Sequence, residues 1–116
     1  MIDKKKYRTV VFYQAYFENF FVKLRDKVKD KIIWTLELIE DFKIVPEKYL
    51  KHIEGTDGIY EIRVQQGNDI FRIFCFFDND KLIIIINGFQ KKSNNIPKKE
   101  IIKAIKIKKD YEDEKK

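Results

Sequence analysis

Residues that build metal sites and disulfide frameworks are scarce in this chain. Its 116 residues include one cysteine, Cys75, and one histidine, His52. A single cysteine excludes an intrachain disulfide, which fits a reducing compartment. A structural zinc site needs clustered cysteine or histidine ligands, and two such residues cannot supply them. We therefore predict a protein that uses no metal ion and no cofactor.

Long apolar runs and glycine-rich loops are also missing. The apolar runs fall far short of the roughly 18 residues that a membrane-spanning helix needs, and residues 1–8 are charged, unlike a signal peptide. These features predict a cytoplasmic protein with no membrane partner. The four glycines form no phosphate-binding loop, and no Ser/His/Asp or Cys/His arrangement indicates nucleophilic catalysis.

Hydrophobic and basic residues are abundant. Hydrophobic residues make up 44% of the chain and aromatic residues 15%, which is enough for a folded core. The length predicts a single domain over residues 1–116, with residues 113–116 as a frayed tail. The formal charge of +6 favours an anionic partner, either nucleic acid or an acidic protein. A lysine-rich surface that serves only solubility has the same composition.

Residues 57–92 organise the chain, because three β-branched and aromatic runs there are separated by two polar breaks. This pattern predicts an antiparallel meander with two-residue turns at Gly67-Asn68 and Asn79-Asp80. Side chains alternate between the two faces of a strand. One face then carries a core set: Tyr60, Ile62, Val64, Phe71, Ile73, Cys75, Leu82, Ile84, Ile86 and Gly88.

The opposite face of this meander collects charged residues at one end. The assumed turns place Arg63 opposite Arg72 and Asn87 opposite Arg72, with Lys91 and Lys92 just beyond. Two facing arginines repel by a few tenths of a kcal/mol. Either Glu61, one position along, or an anionic ligand such as phosphate would relieve this repulsion. Two solvated arginines that point apart are the alternative.

The remaining segments predict one further strand and three helices. Residues 6–13 read as a strand, and apolar residues at helical spacing predict helices over 15–24 and 26–42, the second capped by Asp26. A short helical turn follows over 47–53, and Pro97 opens a last helix that runs to about Glu112. The second helix would bury Val28, Ile32, Thr35, Leu36 and Ile39, and the last helix would bury Ile101, Ile102, Ile105 and Tyr111. The predicted fold is α+β, with a small antiparallel sheet packed against an N-terminal helical hairpin and a C-terminal helix.

The charged cluster suits phosphodiester chemistry. In metal-free RNA cleavage, the 2′-hydroxyl attacks the adjacent phosphorus while cations stabilise the charge on the phosphoryl oxygens. Guanidinium groups match that spread charge well. DNA lacks the 2′-hydroxyl, so such a site would select RNA.

Two stretches resemble the RelE/ParE toxin superfamily, and within it the phage-derived HigB-like toxins. They are GIYEIRVQQGNDIFRIFCFF and INGFQKKSNNIPKKEIIKAIKIKKDY. The resemblance implies the toxin of a toxin–antitoxin pair that cleaves mRNA in the ribosomal A site and is blocked by an antitoxin, often a helix-turn-helix protein. It implies that Arg63 and Arg72 hold the scissile phosphate and that Lys91 and Lys92 bind phosphate or protonate the leaving group. Glu61 would act as a base or orient Arg63, and Gln65, Asn87 and Phe89 would contact RNA.

The chain departs from the HigB-like pattern where many relatives read His-Gly-Phe, because it has Asn87-Gly88-Phe89. Two other functions therefore stay open at this point. One is a ParE-like toxin that poisons DNA gyrase without cutting RNA, since a fold does not determine a function. The other is a decayed toxin that only binds an antitoxin.

Overall fold

The computed structural model describes residues 6–115, which form five strands and three helices. The α+β prediction is confirmed. The elements are β1 (Thr9–Phe12), α1 (Tyr16–Phe21), α2 (Asp26–Asp41), β2 (Leu50–His52), β3 (Tyr60–Gln66), β4 (Asp69–Asn79), β5 (Leu82–Lys91) and α3 (Lys98–Glu114). None of the helices within this part of the chain combines the length and apolar character needed to cross a bilayer.

The five strands form one mixed sheet in the order β1-β5-β4-β3-β2. β1 pairs with β5 in parallel, whereas every other pair is antiparallel. The sheet is therefore mixed, whereas the prediction was a purely antiparallel sheet. Parallel pairing needs a long crossover connection, and here the chain between β1 and β5 supplies it.

The helical hairpin covers one face of the sheet, as predicted. Every α2 position expected in the core is buried, and Phe17 of α1 joins them. These side chains pack against Ile62, Val64, Phe71, Ile73, Cys75, Ile83 and Ile85 of the sheet. Burial of this apolar surface holds the hairpin in place.

α3 covers the opposite face and forms a second core. The sheet contributes Phe74, Phe76, Ile84 and Ile86 to it, Ile59 joins from just before β3, and α3 contributes Ala104 and Ile107. Ile101 and Tyr111 pack at its margin as expected, but the prediction for two other residues is wrong. Ile102 and Ile105 are 66% and 47% exposed, because the helix turns Ala104 and Ile107 towards the sheet instead.

The predicted register of the β4–β5 hairpin is wrong. The Asn79 side chain accepts a hydrogen bond from the Lys81 N–H, so the turn residues are Asp80 and Lys81. Two bulges follow, with Asp78 as the extra residue on β4 and Ile86 as the extra residue on β5. The bulges move Leu82, Ile84 and Ile86 to the α3 face, whereas Gly88 stays on the predicted face opposite Ile73.

The segment before β3 also differs from the prediction. Residues 47–49 form a turn, and the chain then extends as β2, which pairs with β3. The predicted helical turn over 47–53 therefore stops early. Pairing with the exposed edge of β3 explains the change, because it satisfies backbone groups that a short helical turn would leave open.

Candidate functional site at the β3 edge

The hairpin between β3 and β4 positions the two arginines. Gly67 has φ of +62° at the first turn residue, where type II′ hairpin turns place glycine. The turn sets the register, and Arg63 lies directly opposite Arg72, as predicted.

Glu61 sits between the two arginines. Its Oε2 atom lies 3.1 Å from Arg63 Nε and 3.3 Å from Arg72 Nε. The Arg72 contact is an ion pair without hydrogen-bond geometry, since Arg72 Nε has no hydrogen-bond partner among residues 6–115. One buried carboxylate thus relieves the repulsion between two facing cations.

Arg72 is the buried member of this group. Only 6% of the residue is exposed, and its Nη1 donates a 3.0 Å hydrogen bond to the Phe71 carbonyl. Burial lowers the pKa of the Arg72 guanidinium, the Glu61 carboxylate opposes that change, and Arg63 adds to it. The guanidinium stays protonated because its ordinary pKa is so far above neutral. Arg63 is more open, with 34% of its side chain exposed.

A cleft of about 420 Å³ opens beside the arginines at the edge of β3. It is lined by Lys31, Thr35, Lys48, Tyr49, Arg63, Val64, Gln65 and Arg72. Within residues 6–115, four cations and no carboxylate line this cleft. Such an arrangement attracts an anion, and its guanidinium groups suit a phosphate.

Sequence reasoning missed three residues of this cleft, namely Lys31, Lys48 and Tyr49. Lys31 comes from α2, whereas Lys48 and Tyr49 come from the turn before β2. The Tyr49 carbonyl accepts a 2.9 Å hydrogen bond from the Arg63 N–H, and this contact ties the turn to the site. The sequence did not indicate this contact, because it predicted a helical turn over residues 47–53 where the structure has a turn followed by β2.

The predicted row of Arg63, Arg72 and Asn87 is not observed, because Phe89 lies opposite Arg72 and Asn87 lies opposite Phe74. Asn87 is 2% exposed, and its amide has no hydrogen-bond partner in the described part of the chain. Phe89 is half-buried and packs edge-on against Phe74, with ring centroids 5.3 Å apart. Asn87 therefore lies beneath the surface, next to the site.

Two of the remaining predicted residues, Gln65 and Lys91, lie on the same face as the arginines. Gln65, Ile70 and Lys91 form the neighbouring row, with Lys91 half-buried. The amide of Gln65 donates to the Gly67 carbonyl at 3.0 Å. Lys92 is exposed just beyond β5, and neither lysine lines the cleft.

Other reactive groups lie away from this cleft. Cys75 is buried in the core, and burial raises the pKa of its thiol, which disfavours the reactive thiolate. His52 on β2 contacts the Thr56 carbonyl through Nε2 at 3.2 Å. No group of three or more histidine, cysteine, aspartate or glutamate side chains in the described chain is arranged to hold a metal ion.

Comparison with known proteins assigns the chain to a family. A search of curated proteins finds no match. The family model described as "Phage derived protein Gp49-like (DUF891)" matches residues 19–109, which include α2, the whole meander and most of α3. The matched segment covers more than three quarters of the 116 residues. The chain belongs to this Gp49-like family, a toxin-like family of toxin–antitoxin systems.

Proposed function

We propose that this chain is a HigB-like member of the RelE/ParE superfamily, a single-domain toxin that cleaves mRNA in the ribosomal A site. The observation that carries the proposal is the ion-paired cluster of Glu61, Arg63 and Arg72 beside a cleft lined by cations. The family supports a toxin role. A cognate antitoxin of the helix-turn-helix type would cover or distort this site.

In this proposal the two arginines stabilise the transition state. Arg63 has the more exposed side chain and binds the scissile phosphate first. Arg72 is fixed by Glu61 and by the Phe71 carbonyl, so it needs little reorganisation when charge develops on the phosphoryl oxygens. Preorganised donors of this kind are typically worth 10²–10³-fold in rate each.

Glu61 acts by orienting the arginines. A general base must be free to take a proton from the 2′-hydroxyl, whereas Glu61 is 6% exposed and its Oε2 faces both guanidinium groups. We therefore assign Glu61 a positioning role. Phe89 lies opposite Arg72 on β5, and Gln65 contacts RNA from the exposed side of β3.

Lys91 or Lys92 completes the reaction. The 2′-oxygen bonds to phosphorus, the bond from phosphorus to the 5′-oxygen breaks, and a lysine ammonium donates the proton that the leaving oxygen requires. The products are a 2′,3′-cyclic phosphate and a 5′-hydroxyl. From strand spacing, the Lys91 backbone lies about 8 Å from that of Arg72 on the same face of the sheet, so that the two side chains together reach one phosphodiester between them. A ribosomal or solvent group accepts the 2′-proton.

Mapping of new RNA ends in a cell-free translation reaction tests this proposal. Wild-type protein should produce ribosome-dependent ends inside codons, and Arg63→Ala should reduce cleavage by about 10²–10³-fold. Arg72→Ala should abolish cleavage, with circular dichroism verifying that this buried substitution still folds. Lys109→Ala, which removes an exposed cation on α3, is the matched control and should retain activity.

Intact mRNA with folded wild-type protein would contradict the nuclease. A DNA gyrase supercoiling assay would then test the ParE-like alternative. If neither assay responds while an antitoxin still binds, the chain is a decayed toxin.

A further inference from the structure

We propose that Trp34 and Tyr49 form a stacking platform for an unpaired base of single-stranded RNA, next to the cationic cleft. The proposal rests on the RNA-directed function above and extends it, since it assigns a base-binding surface to the same substrate. Neither residue belongs to the strand motifs that suggested the arginine site.

Trp34 is an exposed aromatic residue in the middle of α2. It is the only tryptophan in the chain, and 47% of it is exposed. The Tyr49 ring packs against it edge-on, with centroids 5.8 Å apart and an interplanar angle of 70°. A large ring held in position with nearly half its surface in water is suited to contact with another flat group.

A lysine ammonium lies over each ring in a cation–π contact. Lys31 Nζ lies 4.7 Å from the Trp34 ring centroid, and Lys48 Nζ lies 5.4 Å from that of Tyr49. A second, shallow hollow of about 430 Å³ beside Trp34 is lined by Lys27, Asp30, Lys31, Trp34 and Gln66. Asp30 is the one acid there among residues 6–115, so cations dominate this surface too.

The platform is continuous with the arginine cleft, because Lys31 lines both hollows and Tyr49 lines the cleft. A nucleotide carries an anionic phosphate and a flat base on one unit. The cleft offers cations for the phosphate, and the adjoining rings offer a stacking surface for the base. Aromatic side chains interleaved with basic residues are the usual means of binding single-stranded nucleic acid, whereas an acidic peptide would use the lysines without the flat ring.

The fluorescence of Trp34, the only tryptophan in the chain, reports directly on ligand binding at the proposed platform. A short 2′-O-methyl oligouridylate cannot be cleaved by 2′-hydroxyl attack, so binding is measured without turnover. We expect saturable quenching of the Trp34 fluorescence by this oligonucleotide. Inorganic polyphosphate carries charge without bases and should compete for the lysines without the same quenching. Equal quenching by both anions would overturn the proposal.

Binding of the same oligonucleotide with a fluorescein label, followed by anisotropy, compares variants. Trp34→Ala should raise the Kd for the oligonucleotide by about tenfold, whereas Trp34→Phe should retain most of the affinity. Ile33→Ala is the matched control, because Ile33 is the adjacent α2 residue and is 45% exposed. If Trp34→Ala binds RNA as tightly as Ile33→Ala does, the platform is wrong. If Trp34→Ala loses antitoxin binding but keeps RNA binding, this surface is a protein interface and the stacking platform is also wrong.

The two proposals fail in different ways. If mRNA stays intact during translation while the oligonucleotide still quenches Trp34, the nuclease fails and the platform stands. If mRNA is cleaved normally by Trp34→Ala and no quenching is seen, the platform fails and the nuclease stands.

Discussion

Gly88 on β5 lies directly beneath the Phe20 ring of α1. A Cβ at this position would come within 2.6 Å of two carbons of that ring. We therefore expect Gly88→Ala to lower the free energy of unfolding by about 1–3 kcal/mol, through overpacking. Urea denaturation followed by circular dichroism measures the change.

The double variant Gly88→Ala with Phe20→Leu provides the control for that prediction. A smaller side chain at residue 20 leaves room for the added methyl group, so the two substitutions should be non-additive. Additive losses would show that the ring contact is not what requires glycine.

The arginines illustrate what sequence can predict about single residues. Arg63 and Arg72 were placed opposite each other correctly, because the Gly67-Asn68 turn sets the register of the strands that it joins. The burial of Arg72 and its contact with the Phe71 carbonyl were not predictable, because both depend on how the sheet is covered. The roles of Arg63, Arg72 and Lys91 in RNA cleavage remain predictions.

The β4–β5 hairpin shows why an element can be identified while its register is missed. The run from Leu82 to Ile86 is apolar at every position, since helices cover both faces of β5. A strand buried on both faces has no alternation to fix its register. The Asn79 side chain and the two bulges then decide which isoleucines face α3.

Asp78, the bulged residue of β4, anchors the end of α3. Its Oδ2 accepts hydrogen bonds from Tyr111 Oη at 2.7 Å and from Lys115 Nζ at 2.6 Å. Hydrogen bonds from Lys115 and Tyr111 lower the pKa of Asp78. Burial and the bond to Asp78 raise the pKa of Tyr111 to about 12. The bulge therefore positions an acceptor for the last turn of α3.

This anchor predicts a pH-dependent stability difference between wild type and Asp78→Asn. The pKa of Asp78 in the folded protein is below its unfolded value of about 3.9. The ionised Asp78 side chain therefore makes its full contribution to the free energy of unfolding at any pH above that unfolded value. The contribution is lost as pH falls through the folded pKa. Urea unfolding across the acid range should show the wild type more stable near neutral pH and the two proteins converging in acid.

Asp80→Asn, in the adjacent turn, is the matched control and should follow the wild-type profile. A constant gap between wild type and Asp78→Asn at every pH would exclude ionisation of Asp78 as the cause. The same experiment at alkaline pH probes Tyr111. Its raised pKa predicts stability that is complete below pH 10 and is lost as pH approaches about 12.

At the scale of the whole molecule, the sheet is a central layer between two hydrophobic cores. We expect a chain that ends at Pro97 to lose cooperative unfolding, because removal of α3 exposes Phe74, Phe76, Ile84 and Ile86. Burial of side chains of this size is worth about 1.5–3 kcal/mol each. Their sum is comparable to the roughly 5–15 kcal/mol of a typical domain.

Urea unfolding and binding of the dye ANS measure the effect of this truncation. The shortened chain should bind ANS and unfold without a sharp transition. A chain that ends at Asp113 retains the core contacts of α3 and should still unfold cooperatively. An unchanged transition in the chain ending at Pro97 would mean that the hairpin-side core suffices for the fold.

The charge of +6 indicated an anionic partner but not its place of binding. The cationic cleft gathers Lys31 from α2, Lys48 from the turn before β2, and the arginines from the meander. These segments are far apart in the chain, and only packing of α2 on the sheet brings them together.

The sequence by itself determined the number and kind of most elements, the buried stripe of α2, and the facing pair of Arg63 and Arg72. Each follows from local rules, namely helical periodicity and the chemistry of a two-residue turn. Tertiary structure decided the β4–β5 register, the parallel pairing of β1, the β2 strand and the lining of the cleft. These depend on contacts between distant segments, whose free energies outweigh local preferences and leave no periodic signal in the chain.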